Sequence, residues 1–224
     1  MKVDILLIPE TRVTSPRVFN SRWPDADLAK AQEIVAGFPA AVADLTGGMC
    51  QIQQTVKVVG PLTSVSAFGG SWWPARNDTA QWVSPDADAV IVLWESDEDI
   101  EGNPAGLTTY GGLGMGGKPM YATWALPDGV ESWWVSKTFP QGAMVHEWAH
   151  GVGTNARSLG FTITDLHHAE QFGYTDADNW REWYRAYLSG KIAGGITAEV
   201  WRALGEGTVT TPDPTRPRKG RKPR

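Results

Sequence analysis

His146, Glu147 and His150 stand in one five-residue segment, His146-Glu147-Trp148-Ala149-His150. Four residues make about one helical turn, so spacing i, i+4 stacks the two imidazoles on one helix face. Two imidazoles so held can bind one Zn²⁺, and the intervening Glu147 can reach a water on that metal. The chemistry this suggests is attack of an activated water on a carbonyl, with Glu147 as general base. It needs a third ligand, and leaves a fourth metal position open.

The third ligand is expected after the helix. Asp165, His167, His168 and Glu170 crowd into six residues there. Neutral imidazole is a common zinc ligand, and His167 is the preferred candidate, with His168, Glu170 and Asp165 as alternatives. Tyr174 follows closely and is the candidate for donating a hydrogen bond to the developing oxyanion; Tyr110 is second. The plain alternatives are His–Glu pairs on an ordinary solvated helix, and a tyrosine that only packs.

The motif must sit on a helix. Pro140 suits a first turn, where its missing N–H costs nothing. Val145, Ala149 and Val152 recur at i, i+4, i+7, an apolar stripe with the two histidines beside it. Gly151 and Gly153 read as the stop at its far end. Before it, 2–8 reads as a buried strand. Residues 25–45 read as a helix divided near Pro39. Residues 51–59 and 88–94 read as further strands, the latter (DAVIVLW) β-branched and apolar. Residues 60–87 are rich in Gly, Pro, Ser and Trp and read as a long irregular connection. An acidic loop is expected at 96–106. Five glycines fall within Gly111 to Gly117. No phosphate-binding pattern is complete there, since Lys118 precedes Pro119, and the stretch reads as the rim of a cleft. Residues 120–126 read as a strand and 131–136 as another short one. Asp176 is expected to cap a helix running to Leu188, and Thr197 a last short helix.

The order of mixed strands, a His-Glu-x-x-His helix and a mainly helical C-terminal part resembles the zincin superfamily of zinc metallopeptidases. The resemblance covers roughly residues 88–190, and its specific part is 146–174. It implies an α+β fold with a mixed twisted sheet, His146 and His150 as zinc ligands, and Glu147 as the base acting on the metal's water. It also implies that the last strand before the helix, Met120 to Trp124 by this reading, lines the cleft and pairs with an extended peptide. The short metzincin continuation is broken, because Ala156 stands where its third histidine would be. The gluzincin companion pattern is incomplete at Glu170…Tyr174, and the spacing that would make Asp165 the ligand of an aspzincin fits poorly.

Composition bounds the rest. The chain has 224 residues, 42% of them hydrophobic, and one cysteine. That fits one domain over 1–209 followed by a disordered basic tail, 210–224, whose Pro, Lys and Arg cannot build a core. Cys50 excludes an internal disulfide and reads as a small buried hydrophobe. A formal net charge of −5 argues against a nucleic-acid partner. No apolar run suggests a membrane span, and no signal peptide is visible, so a soluble chain is expected. Twelve tryptophans suit core packing or the lining of a peptide or glycan groove. The expected function is zinc-dependent peptide hydrolysis. The alternatives are an amide hydrolase acting on peptidoglycan or another amide, and a non-catalytic module on the same scaffold.

Overall fold

In the computed structural model, residues 1–15, 18–68, 71–96, 112–126, 138–175 and 180–206 are described. The expectations for 97–106, Tyr110, 131–136, Asp176 and the tail fall outside them. The fold is α+β. Strands β1 (Lys2–Ile8), β4 (Gln53–Val58), β7 (Ala89–Trp94), β8 (Gly112–Met115) and β9 (Met120–Ala125) form one sheet in the order β4-β1-β7-β9-β8. The first four strands in that order run parallel, and β8 runs antiparallel to β9. Two short hairpins lie outside the sheet: β2 (Glu10–Val13) with β3 (Phe19–Arg22), and β5 (Ser66–Phe68) with β6 (Ser71–Trp73).

The interior strands are buried on both faces, as parallel strands generally are. Val3, Ile5 and Leu7 of β1, Ile91 and Leu93 of β7, and Ala122 and Trp124 of β9 face the larger core. There they meet helices α1 (Asp25–Ala36), α2 (Phe38–Leu45), α4 (Gly142–Ser158), α5 (Arg181–Leu188) and α6 (Ala198–Glu206). The alternate residues Leu6, Ile8, Val90, Val92, Trp94, Tyr121 and Ala125 face a second core with Leu62, Val65 and Trp73. Residues 60–87 are therefore more than an irregular connection. They hold a hairpin, the short helix α3 (Arg76–Thr79) and a 3₁₀ turn, Ala80–Trp82, because the sheet's second apolar face must also be covered. Asp4 fastens this layer: its carboxylate accepts from Lys57 Nζ (2.8 Å) and from the backbone N–H of Ser84 (2.6 Å). Burial pushes Asp4 up, but these donors outweigh it and hold the carboxyl below its ordinary value.

The helix expected over 25–45 is divided at Gly37, with Pro39 accommodated in the first turn of α2. Thr197 precedes α6, and its Oγ1 accepts the N–H of Val200 at 3.4 Å. Among the described residues no helix is long and apolar enough to cross a membrane.

Two sequence expectations fail around the motif helix. Gly151 and Gly153 do not end it; α4 runs on to Ser158. Both glycines are buried where other elements come close. A Cβ on Gly151 would lie 3.0 Å from the Met115 carbonyl, and one on Gly153 would lie 2.7 Å from the Tyr187 hydroxyl. Tertiary packing uses their smallness and overrides their poor helix propensity. Second, Met120–Trp124 is not the edge strand. β9 pairs with β7 on one side and β8 on the other, so its backbone is already engaged. Among the described residues the strand at that edge of the sheet is β8, 112–115 of the glycine-rich stretch.

The glycines of β8 are explained by what they touch. Gly114 lies directly on α4: a Cβ there would stand 2.1 Å from the Glu147 carbonyl oxygen and 2.6 Å from His150 Cβ. Two residues on, a Cβ on Gly116 would meet Asn155 Oδ1 and Thr154 Cγ2, both at 2.6 Å. The strand period of two puts both bare positions on the helix side. The turn into β9 is held from both flanks. Asn155 accepts from Gly117 N–H at 2.6 Å and donates to Gly117 O at 2.9 Å. From the other side, the Arg76 guanidinium donates to the carbonyls of Gly116 and Pro119.

Gly114→Ala is expected to lower stability by about 1–3 kcal/mol, the usual cost of overpacking. Gly205→Ala, where nothing lies within 4 Å of the new methyl group, is expected to leave stability unchanged or raise it. Chemical denaturation of both variants tests the pair; an unchanged midpoint for Gly114→Ala would contradict the close approach of β8 to α4.

Candidate metal centre

Helix α4 supplies His146, Glu147 and His150 from its middle. Val145, Ala149 and Val152 are fully buried, which fixes the helix rotation and leaves both histidines half-buried at the core's margin. Trp148, between them in sequence, anchors the opposite face. Its ring meets Phe38 edge-on at 5.9 Å and stacks on Trp201, also at 5.9 Å. The histidines' Nε2 atoms converge to 3.0 Å.

His167 comes from the segment after α4. Ile163 and Leu166 turn into the core there. Thr164 is tied to the turn before α6, its N–H to Gly194 O and its Oγ1 to Ala193 O, each at 2.9 Å. Trp183 Nε1 donates to Leu166 O at 2.7 Å. Seating Leu166 in this way turns the neighbouring His167 toward α4. Its ring centre lies 5.2 Å from that of His146 and 4.8 Å from that of His150.

Three ring nitrogens, one each from His146, His150 and His167, lie within 4.8 Å of one another, close enough to bind a metal ion. Among the described residues no other group of three or more His, Cys, Asp or Glu does so. Two ligands at about 2.0–2.1 Å from a tetrahedral ion stand about 3.3 Å apart, so the 3.0 Å gap between the Nε2 atoms of His146 and His150 is near the geometry such an ion requires. The other candidates of the 165–170 cluster do not join. His168 and Glu170 are exposed, and Asp165 faces His167, accepting its backbone N–H at 2.9 Å and lying 3.2 Å from its Nδ1.

Tyr174 packs on Trp183, ring centres 5.6 Å apart, and donates its backbone N–H to Ala169 O at 3.1 Å. The tyrosine in polar contact with the cluster is Tyr184, whose hydroxyl is 3.0 Å from His146 Nδ1. Tyr184 lies on the helix expected to run to Leu188, but the sequence carries no signal for this contact, which spans 38 positions. Trp180 precedes that helix with φ 60°, unusual for a large side chain, and its ring centre lies 6.1 Å from that of His146.

Burial leaves His146 and His150 with lone pairs free for a cation. Burial, then the charges of His150 and His167, push His146 down to about 3. Burial, then His167, pushes His150 down to about 4. Both rings are therefore neutral near pH 7, the state that offers a lone pair. Burial drives Glu147 the other way, up to about 8, against a backbone hydrogen bond from Gly114. A cation among the histidines would favour the ionised carboxylate again.

These shifts give the metal-free protein a defined pH response. Glu147, raised from 4.5 to about 8, contributes stability that is full below pH 4.5 and lost as pH rises through 8. His146 and His150, lowered from 6.5, contribute stability that is full above pH 6.5 and lost as pH falls through about 4 and 3. Denaturation in chelator is expected to show declining stability from pH 6.5 to 8.5, with a slope of at most about 1.4 kcal/mol per pH unit for one proton. Glu147→Gln is expected to abolish that alkaline decline; its persistence in the variant would assign it to another group.

Compared with protein-family models, with curated proteins and with solved structures, the chain matches none of them.

Proposed function

We propose that the chain is a zinc-dependent peptidase of zincin type. The observation that carries this reading is the convergence of His146, His150 and His167 with Glu147 on the same helix, beneath the edge strand β8. Three imidazoles and no thiolate suit zinc among the common ions and leave one coordination position open, the pattern of a catalytic rather than a structural site. Bound zinc supplies a Lewis acid that polarises a carbonyl and acidifies a coordinated water.

The chain's own residues do the rest. Glu147 takes a proton from the attacking water on a carboxylate oxygen and delivers it to the leaving nitrogen. Burial raises the carboxyl, and a bound cation would favour its ionised, proton-accepting form. The Gly114 backbone limits how far the carboxyl rises. Strand β8 pairs on one side only, with β9, among the described residues. Its free backbone groups can receive an extended peptide by strand addition, laying the scissile bond across the histidines. The role first assigned to Met120–Trp124 thus passes to 112–115.

The purified protein is expected to bind about one zinc per chain by elemental analysis. Glu147→Gln is expected to retain that zinc while turnover of a peptide library falls at least about 10²–10⁴-fold. A parent without zinc uptake would sink the metal reading. A Gln variant as active as the parent would sink the proposed role of Glu147.

A further inference from the structure

A ligand histidine has two ring nitrogens, and the partner of one decides which presents its lone pair to the metal. In this cluster two of the three rings have a partner at Nδ1, and the two partners come from different parts of the chain. The Asp165 carboxylate is acceptor-only when ionised. Its Oδ1 lies 3.2 Å from His167 Nδ1, which favours the proton on that nitrogen and leaves the lone pair on Nε2. The same oxygen accepts the His167 backbone N–H at 2.9 Å, so one side chain fixes both the main chain and the ring.

For His146 the partner is the Tyr184 hydroxyl, 3.0 Å from Nδ1. A hydroxyl can donate or accept, and the second nitrogen decides between them. His146 Nε2 faces His150 Nε2 at 3.0 Å. With a cation bound there, Nε2 must be bare, so Nδ1 carries the proton and Tyr184 accepts it. Resting on the zinc reading above, we infer that Asp165 and Tyr184 are positioning residues that hold His167 and His146 as Nδ1–H tautomers and aim their Nε2 atoms at one metal ion. Asp165, weighed from sequence as a ligand, instead orients the ligand two residues on. Tyr184 lies on the Nδ1 side of His146, away from the converging Nε2 atoms, so it acts through the ring and not on the substrate.

A merely structural role would show in folding, a positioning role in metal affinity. The Asp165 and His167 side chains are 53% and 58% exposed, and a pair so exposed adds little to folding. Tyr184→Phe keeps the buried ring and removes only the hydroxyl. The experiment titrates zinc against a competing chelator for the parent, Asp165→Ala, Asp165→Asn and Tyr184→Phe, with metal-free melting temperature measured alongside. Asp165→Ala and Tyr184→Phe are expected to weaken zinc binding about 10–100-fold. Asp165→Asn, which keeps an acceptor oxygen, is expected to fall between Asp165→Ala and the parent. The metal-free melting temperature of the Asp165 variants is expected to stay within about 2 °C of the parent's. The chain has four histidines, so ¹⁵N spectra of the zinc-loaded parent can read each tautomer, with His146 and His167 expected as Nδ1–H. A parent that takes up no zinc overturns the metal reading and this assignment with it. A parent that binds zinc while both substitutions leave affinity within twofold, or whose His146 or His167 is metallated at Nδ1, overturns the assignment and leaves the metal reading standing.

Discussion

Strand β8 lies on helix α4 at a distance that only glycine permits, and the site's geometry follows from that contact. A single methyl group on Gly114 would collide with the Glu147 carbonyl at 2.1 Å. Because the backbone itself touches the helix, its N–H reaches the Glu147 side chain, and Gly114 lies against His150. A strand with side chains on that face would stand farther off. Glu147 would then lose its backbone donor. Asn155 and Arg76 hold the end of this strand from opposite sides, so the approach is fixed at the turn as well as along the strand.

The second constraint is the route of the chain back to the helix. His167 belongs to an exposed turn and reaches the other two histidines only because Leu166 beside it is buried and held by Trp183. Burial of one residue thus determines where its neighbour points. That also separates His167 from His168: successive side chains cannot share one direction when the residue before them is anchored in the core.

Legibility from sequence followed the range of the interaction. His146, Glu147 and His150 were legible because a helix repeats every 3.6 residues and the apolar stripe beside them has the same period. The 165–170 cluster was legible as a set of ligand types, and His167 was favoured within it on the chemistry of imidazole; what singles it out in space is the seating of Leu166, a tertiary event. The parallel strands β1, β7 and β9 were legible as apolar runs. Their order in the sheet was not: β8 precedes β9 in the chain but lies outside it, so naming the last strand as the edge failed. Gly151 and Gly153 read as a helix stop because local propensity says so, and they were overruled by contacts with Met115 and Tyr187. Tyr184 could not be read at all, since its partner lies 38 positions away.

The site is built against the preferences of its own groups. Three imidazoles crowd together; burial makes His146 and His150 poor proton acceptors, and their Nε2 atoms stand 3.0 Å apart. Beside them the half-buried Glu147 carboxyl sits where burial opposes its charge. A hydrophobic core of this quality, with Trp148 packed between Phe38 and Trp201, has no need of such groups at its margin, and apolar residues there would be tolerated at least as well. A bound metal ion would resolve these conflicts together: it would use the unprotonated lone pairs and favour the carboxylate. Groups that each oppose folding alone, and that a single ion satisfies jointly, are what a binding centre requires and what a stability device would avoid.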